Sequence, residues 1–137
     1  MDRYRVTALV FAAVLLFAAA TDYIPVFLDP EGRVFGLFRL DVYKDGLHVV
    51  SGLWALAAAW SRRSAVFFLK AFGTIYFLDG VMGVFTGSGF LDLSIFTEGV
   101  RNVSATVKIL SSMPHVGLGA LGIAVGWSPW RARRAAA

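Results

Sequence analysis

Four ionisable side chains at matched spacings are the residues of this sequence that could do chemistry in an otherwise apolar chain. His48 and His115 are the two histidines, and each lies twelve residues before a tryptophan that is followed by serine. Asp22 and Asp79 each lie seventeen residues after an arginine. The repeated spacings predict that the four side chains occupy related positions in the fold.

Three kinds of chemistry suit two imidazoles and two carboxylates. Neutral histidines and carboxylates are ligands of divalent metals, and His48 and His115 would be the metal ligands. Two histidines on facing helices can instead be the axial ligands of a haem. A chain of Asp and His side chains inside a membrane can also relay protons or line a path for a small ion. Asp45 and Tyr76 are secondary candidates for the same polar network.

Purely structural roles also account for these residues, and they remain open as alternatives to the chemical roles. Asp22 could end a helix at the membrane interface, the histidines could hydrogen-bond across a helix pair, and Asp79 could pair with a histidine or with Tyr76. The sequence has no cysteine. It also lacks an HExxH motif, a phosphate-binding glycine loop and a nucleophile with an adjacent base. We therefore expect no enzymatic activity.

The composition indicates that these residues belong to a membrane protein. Of 137 residues, 58% are hydrophobic and 16% are charged, whereas roughly a quarter of residues are charged in soluble domains. A helix needs about 20 residues to cross the hydrocarbon core, and the apolar runs predict four spans at about 6–24, 43–61, 64–87 and 106–128. The predicted fold class is all-α, an integral membrane four-helix bundle that forms a single transmembrane domain.

Arginines near the ends of the predicted helices indicate the orientation. They precede the first span, separate the second from the third and follow the fourth, and Lys and Arg favour the cytoplasmic side. We therefore expect a protein of the bacterial inner membrane with both termini in the cytoplasm and the connections 23–45 and 88–113 outside. The basic start followed by an apolar stretch and three alanines also matches a signal peptide, so cleavage of the first span is the alternative.

The matched spacings also predict an internal duplication. Residues 48–61 align without gaps to residues 115–128. The chain then consists of two tandem helical hairpins in the same orientation, about 5–61 and 62–128, as in parallel repeats related by an axis along the membrane normal. With a rise of about 1.5 Å per residue, both aspartates and both histidines fall in the outer half of the membrane.

Two segments of the chain carry motifs of a known kind. Residues 36–52 contain Gly-Leu-Phe, then aspartates, then His48 before a glycine-containing helix. Residues 72–83 contain the pattern Tyr-x-x-x-Gly-x-x-Gly. With these motifs the chain resembles a bacterial family of small four-span membrane proteins that is known as a domain of unknown function. The resemblance covers most of residues 6–128 and implies the topology of the family without implying a reaction.

We expect a non-catalytic structural or accessory membrane subunit that packs through glycine- and alanine-rich helix faces, such as Gly83-x-x-x-Gly87 and Gly122-x-x-x-Gly126. Its partners would be the lipid bilayer and either other membrane proteins or further copies of itself, and not nucleic acid. The alternatives are a haem b or divalent-metal protein that uses His48 and His115, and a component of small-ion or proton transport.

Overall fold

The computed structural model describes residues 1–129, which form helices and connecting loops. The long helices are Arg3–Thr21 (α1), Val42–Ala58 (α2), Arg62–Thr86 (α3) and Ala105–Trp127 (α5), and a single-turn helix, Ser94–Thr97 (α4), precedes α5. A 3-10 turn covers Pro25–Phe27. Isolated β-bridges join Leu28 to Val34 and Val34 to Phe38 without forming a strand within the described residues. The predicted all-α class is confirmed for residues 1–129.

Side-chain caps begin the four long helices. Asp2, Asp41, Ser61 and Ser104 each accept hydrogen bonds from backbone N–H groups in the first turn of the helix that follows. Such a cap satisfies donors that have no partner inside the helix and contributes about 1 kcal/mol. At its other end α3 is followed by Gly87, whose φ of 77° is the left-handed conformation that glycine adopts without strain. The chain can therefore turn sharply at the end of α3.

Three of these helices, α1, α3 and α5, are long and apolar enough to cross a membrane. They have 19, 25 and 23 residues, whereas α2 has 17. The four helices lie on the four predicted apolar runs. The structure therefore supports a membrane-embedded helical protein, and the passage of α2 through the membrane stays a prediction.

The long helices pack mainly as two antiparallel pairs, α1 with α2 and α3 with α5. The α3–α5 seam is close enough for backbone to touch backbone, because a Cβ added to Gly73 would lie 2.8 Å from the carbonyl carbon of Gly122. Small residues permit this approach. The other glycines whose added Cβ would meet the facing helix are Gly80, Gly83, Gly119, Gly122 and Gly126. Most of the glycines predicted to mediate packing are therefore used inside the chain.

An aromatic core joins the two helix pairs. Phe11 of α1 meets Phe68 and Phe72 of α3 edge to face, with ring centroids 6.1 and 6.0 Å apart. Along α3, Phe72 stacks on Phe68 at 4.9 Å and on Tyr76 at 4.5 Å. All four rings are buried. This column of rings leads from the core to the end of the molecule that carries the two long connections, residues 22–41 and 87–104. The polar site lies at this loop-bearing end.

Candidate functional site

A buried carboxylate–imidazole pair lies at the loop-bearing end of the α3–α5 pair. Oδ2 of Asp79 is 2.6 Å from Nδ1 of His115, and Asp79 is only 2% exposed. Oδ1 of Asp79 accepts hydrogen bonds from the backbone N–H groups of Phe90 and Leu91 at 2.7 and 2.9 Å. These N–H groups donate to Oδ1, and an ionised Asp79 also accepts at Oδ2 from the Nδ1–H of the imidazole.

The loop 88–94 folds around the Asp79 carboxylate. A Cβ on Gly89 would lie 2.6 Å from Oδ1 of Asp79, so the loop can come this close only with glycine at that position. The hydroxyl of Ser94 accepts from the N–H of Gly89 at 2.8 Å and donates to the Asp92 carboxylate at 2.6 Å. These bonds close the loop on itself and present its N–H groups to Asp79.

Three contacts hold the His115 ring in one orientation. Nδ1 bonds to Asp79, the ring stacks on Tyr76 with centroids 4.1 Å apart, and its edge meets His48 at 6.3 Å. Nε2 has no hydrogen-bond partner within residues 1–129. When Nδ1 of a neutral imidazole donates, Nε2 carries an acceptor lone pair. His115 can therefore accept a hydrogen bond from a group outside the described chain.

The α1–α2 pair places its polar residues differently. Tyr23 donates to Oδ2 of Asp45 at 3.0 Å, while Oδ1 of Asp45 and Nδ1 of His48 are buried without a hydrogen-bond partner in the described residues. Asp22 follows α1 at its C-terminal cap and is half-buried. Within residues 1–129 its side chain forms neither a hydrogen bond nor an ion pair. Of the four predicted residues, His48, His115 and Asp79 come together and Asp22 lies apart.

A cavity of about 680 Å³ opens beside His115. His115 and Asp79 lie on its wall, together with segments from residues 33–44, the end of α3, the loop after it and the first half of α5. Its other charged lining residues are Arg33, Arg39, Lys44, Asp92, Glu98 and Arg101. Sequence reasoning missed this site because these residues come from separate connections. The one signal for it was the concentration of charged residues in the predicted outer loops.

Two of the four basic side chains in the cavity are already engaged. Arg33 holds the pKa of Asp29 below its usual value, through a backbone N–H bond at 2.7 Å and a guanidinium bond at 2.8 Å. Lys44 lies 2.6 Å from Asp41 and 3.6 Å from Asp92. Burial would raise the pKa of Asp41, but the hydrogen bonds from Lys44 keep it below its usual value. Both ion pairs therefore persist at neutral pH.

Three observations bear on the hypothesis of a metal or haem site. Within residues 1–129, no three His, Asp or Glu side chains form a group that could hold a metal ion. Both oxygens of Asp79 are used by His115 and the loop. The residues that line the cavity include His115 but not His48, so the two imidazoles do not face this cavity together. His48 and His115 are the residues that could contribute to a two-histidine metal site.

A family comparison covers this whole arrangement of helices. The family described as "Domain of unknown function (DUF4383)" matches residues 5–128. The chain belongs to the DUF4383 family. The match confirms the resemblance to a domain of unknown function, and it includes both the Asp79–His115 pair and the loop around it. Comparisons of this DUF4383 protein with curated proteins and with solved structures give no match.

Proposed function

We propose that this DUF4383 protein is a four-span protein of a bacterial inner membrane with a non-catalytic, structural or accessory role. The observation that carries the proposal is the apolar outer surface of all four long helices. A soluble helix bundle would bury such large side chains, whereas lipid accepts them. The exposed residues on these surfaces include Val10, Phe17, Val50, Leu53, Phe67, Leu78, Ile109 and Leu121.

The exposed face of α2 supports its assignment as the fourth span. Seventeen residues rise about 26 Å, which is close to the roughly 30 Å of the hydrocarbon core. Val50, Leu53 and Leu56 expose about half or more of their surface on this helix. Trp60 follows α2 and is 88% exposed, as suits an aromatic residue at a membrane interface. Four spans place both termini on one side, in keeping with two tandem hairpins at about 5–61 and 62–128.

Cysteine labelling tests this topology directly, because the natural chain has no cysteine. Single variants Glu31→Cys, Trp60→Cys and Asn102→Cys place one thiol in each connection between the long helices. We expect a membrane-impermeant maleimide to label positions 31 and 102 on intact spheroplasts, and position 60 only after permeabilisation.

A three-span arrangement without α2 gives a different labelling pattern. Positions 31 and 60 would then be labelled together, and position 102 would lie on the opposite side. That outcome would overturn the four-span proposal. The cysteine-free natural protein is the control for non-specific labelling.

The accessory role is supported by the exposure of α5, because the other helices bury only a small part of it. In its most apolar window α5 is 22% buried, against 39% for α1 and 44% for α3. The glycines of the α3–α5 seam already pack within the chain. Another membrane protein or a second copy would therefore contact the exposed small residues of α5. Gly117, Ala120 and Ala124 are such residues.

Light scattering of the protein in mild detergent tests this role. We expect a protein mass above that of one chain, and a lower mass after Ala120→Ile, because the added side chain separates helices that pack through small residues. Ala57→Ile on the exposed face of α2 is the matched control and leaves the mass unchanged. A natural protein that is monomeric in mild detergent and in native membranes after cross-linking would contradict the proposal.

A divalent-metal protein is the second candidate, and the contact of the two imidazoles favours it. The His48 and His115 rings lie at 6.3 Å, and Nδ1 of His48 is buried and unpaired within residues 1–129. Elemental analysis and an absorption spectrum of the purified protein test this candidate. Stoichiometric metal that is lost in His48→Ala and His115→Ala would support it, and a Soret band would indicate haem. A metal-free, colourless protein rules it out.

The distribution of buried polar residues does not favour transport. Apart from Tyr4, the buried polar side chains of residues 1–129 lie at or near the loop-bearing end, and the aromatic column fills the interior beyond Tyr76. A path for ions needs polar groups along its length. Equal ion flux in liposomes with the natural protein, with Asp79→Asn and without protein is the expected result.

A further inference from the structure

The cavity beside His115 has the size and the rigid wall of a small-molecule site. Its volume of about 680 Å³ falls within the range of roughly 300–1,000 Å³ that such sites occupy. The wall at His115 is preorganised, because Asp79 bonds to Nδ1 and Tyr76 stacks on the ring. With Nδ1 donating to Asp79, a neutral His115 presents Nε2 to the cavity as a hydrogen-bond acceptor in a fixed orientation.

Two guanidinium groups in the cavity are available to an anion. Arg39 is exposed and forms no hydrogen bond or ion pair with another residue of 1–129. Arg101 is only loosely held, with Nε 3.7 Å from Glu98 and NH1 3.5 Å from the carbonyl of Gly87. Guanidinium groups bind carboxylates and phosphates through paired N–H bonds.

The buried acids of the cavity are committed to other groups. Asp79 bonds to His115 and to the loop, and Asp92 bonds to Ser94 and lies 3.6 Å from Lys44. Of the lining acids only Glu98 is half-exposed. The available charge in the cavity is therefore predominantly positive.

Apolar side chains complete the lining. Leu37, Phe38 and Leu40 come from the first connection, and Val103 and Val107 come from the start of α5 and the residues before it. A ligand with a short hydrocarbon part between its polar ends matches this lining better than an inorganic ion does.

We propose that this cavity binds a small organic anion, with Arg39 and Arg101 pairing with its carboxylate or phosphate and Nε2 of His115 accepting a hydrogen bond from its hydroxyl group. The anionic group can belong to a soluble metabolite or to a lipid headgroup, since both present the same chemistry. This site is separate from the α5 surface proposed for association.

Isothermal titration calorimetry of the delipidated protein in neutral detergent tests the proposal. The probes are 3-hydroxybutyrate and glycerol 3-phosphate as soluble anions, and phosphatidylglycerol in mixed micelles as the lipid. We expect at least one probe to bind, and Arg39→Gln and Arg101→Gln each to weaken binding by about tenfold, since a hydrogen bond to a charged group contributes about 1.5–3 kcal/mol. Binding should also weaken as salt is added.

Arg63→Gln is the matched control, because Arg63 is an exposed arginine at the opposite end of α3. Binding of a soluble probe supports a metabolite, and binding of phosphatidylglycerol alone supports a lipid headgroup. Butyrate, which lacks the hydroxyl group, should bind more weakly than 3-hydroxybutyrate. No binding by any probe, or equal weakening by Arg63→Gln, would overturn the proposal. Unfolding temperatures of the variants show that each is folded.

Discussion

The two hairpins carry aspartate and histidine at matched spacings, yet only the second joins them. In α3–α5 the Asp79 carboxylate lies 2.6 Å from His115. In α1–α2 the side chain of Asp22 has no hydrogen bond within residues 1–129, and Tyr23 bonds to Asp45 instead. Identical spacing within each helix therefore did not produce identical contacts between helices.

The register of each antiparallel pair accounts for this difference. Gly52 packs against Leu16 in the α1–α2 pair. Four residues further towards the loop-bearing end, His48 therefore lies across from Ala20, and Asp22 lies beyond the end of α1. In α3–α5 the close glycine contacts bring Asp79 level with His115. Register depends on which side chains meet across the seam, and it moves polar pairs in or out of hydrogen-bonding distance.

The outer connections differ in the same way. The separation from Asp79 to His115 is ten residues longer than that from Asp22 to His48. In the second connection, two backbone N–H groups of loop 88–94 donate hydrogen bonds to Asp79. The first is closed by its own ion pair, Asp29 with Arg33. One loop is therefore tied to a buried helix residue, and the other is held mainly by local contacts.

Replacement of the two aspartates should show the largest contrast between the hairpins. Asp79→Ala leaves His115 and two backbone N–H groups without their acceptor, and should lower the free energy of unfolding by about 3–5 kcal/mol, because each unpaired buried donor costs about 1–3 kcal/mol. Asp22→Ala removes no hydrogen bond and should cost about 0.5 kcal/mol or less. Reversible unfolding in mixed detergent measures both. Similar costs for the two variants would contradict the asymmetry.

Replacement of the two histidines sharpens the comparison further. His115→Leu leaves Oδ2 of Asp79 buried and unpaired, and should cost about 2–3 kcal/mol. His48→Leu removes a buried nitrogen that has no partner in the described chain, and should cost less than about 1 kcal/mol or stabilise the protein. The same unfolding assay compares them. A larger cost at His48 would show that its imidazole has a ligand in the membrane protein.

The glycines of the two seams should respond unequally to alanine. Gly73→Ala places a Cβ against the backbone of Gly122, and should cost about 1–3 kcal/mol because neither helix can yield locally. Gly52→Ala meets the Leu16 side chain at 2.8 Å, which can change rotamer, so its cost should be smaller. Gly46→Ala, on the exposed side of α2, meets no atom within 4 Å and is the control. Equal effects at all three positions would contradict the close α3–α5 seam.

The smallest effect should come from lowering the pH, which acts on the Asp29–Arg33 contact in the first connection. Arg33 lowers the pKa of Asp29 in the folded protein. The ionised Asp29 carboxylate therefore contributes fully to stability above the ordinary Asp pKa of about 3.9. This stability is lost as the pH falls through the lower pKa that Asp29 has in the folded protein. Hydrogen exchange should show reduced protection of the Arg33 amide below about pH 4. Asp29→Asn should show no such pH dependence. Protection that falls equally in the variant would assign the effect to another group.

Much of the helical layout followed from local sequence features. Hydropathy indicated four long apolar segments, and polar residues at their starts became caps in the structure, as at Asp41 and Ser104. The pairing of Asp79 with a histidine was among the predicted alternatives. These features are local because a helix forms from hydrogen bonds and side chains within one segment.

The cavity and the asymmetry of the hairpins depend on contacts between distant segments. The sequence by itself determined which helices form, their apolar character and which ionisable residues they carry. Only the tertiary structure decided that Asp79 meets His115 and loop 88–94, that Tyr23 meets Asp45, and that Arg39 and Arg101 line one cavity. The physical reason is that close packing sets the register of each helix pair, and a spacing along one helix contains no information about the surface it will face.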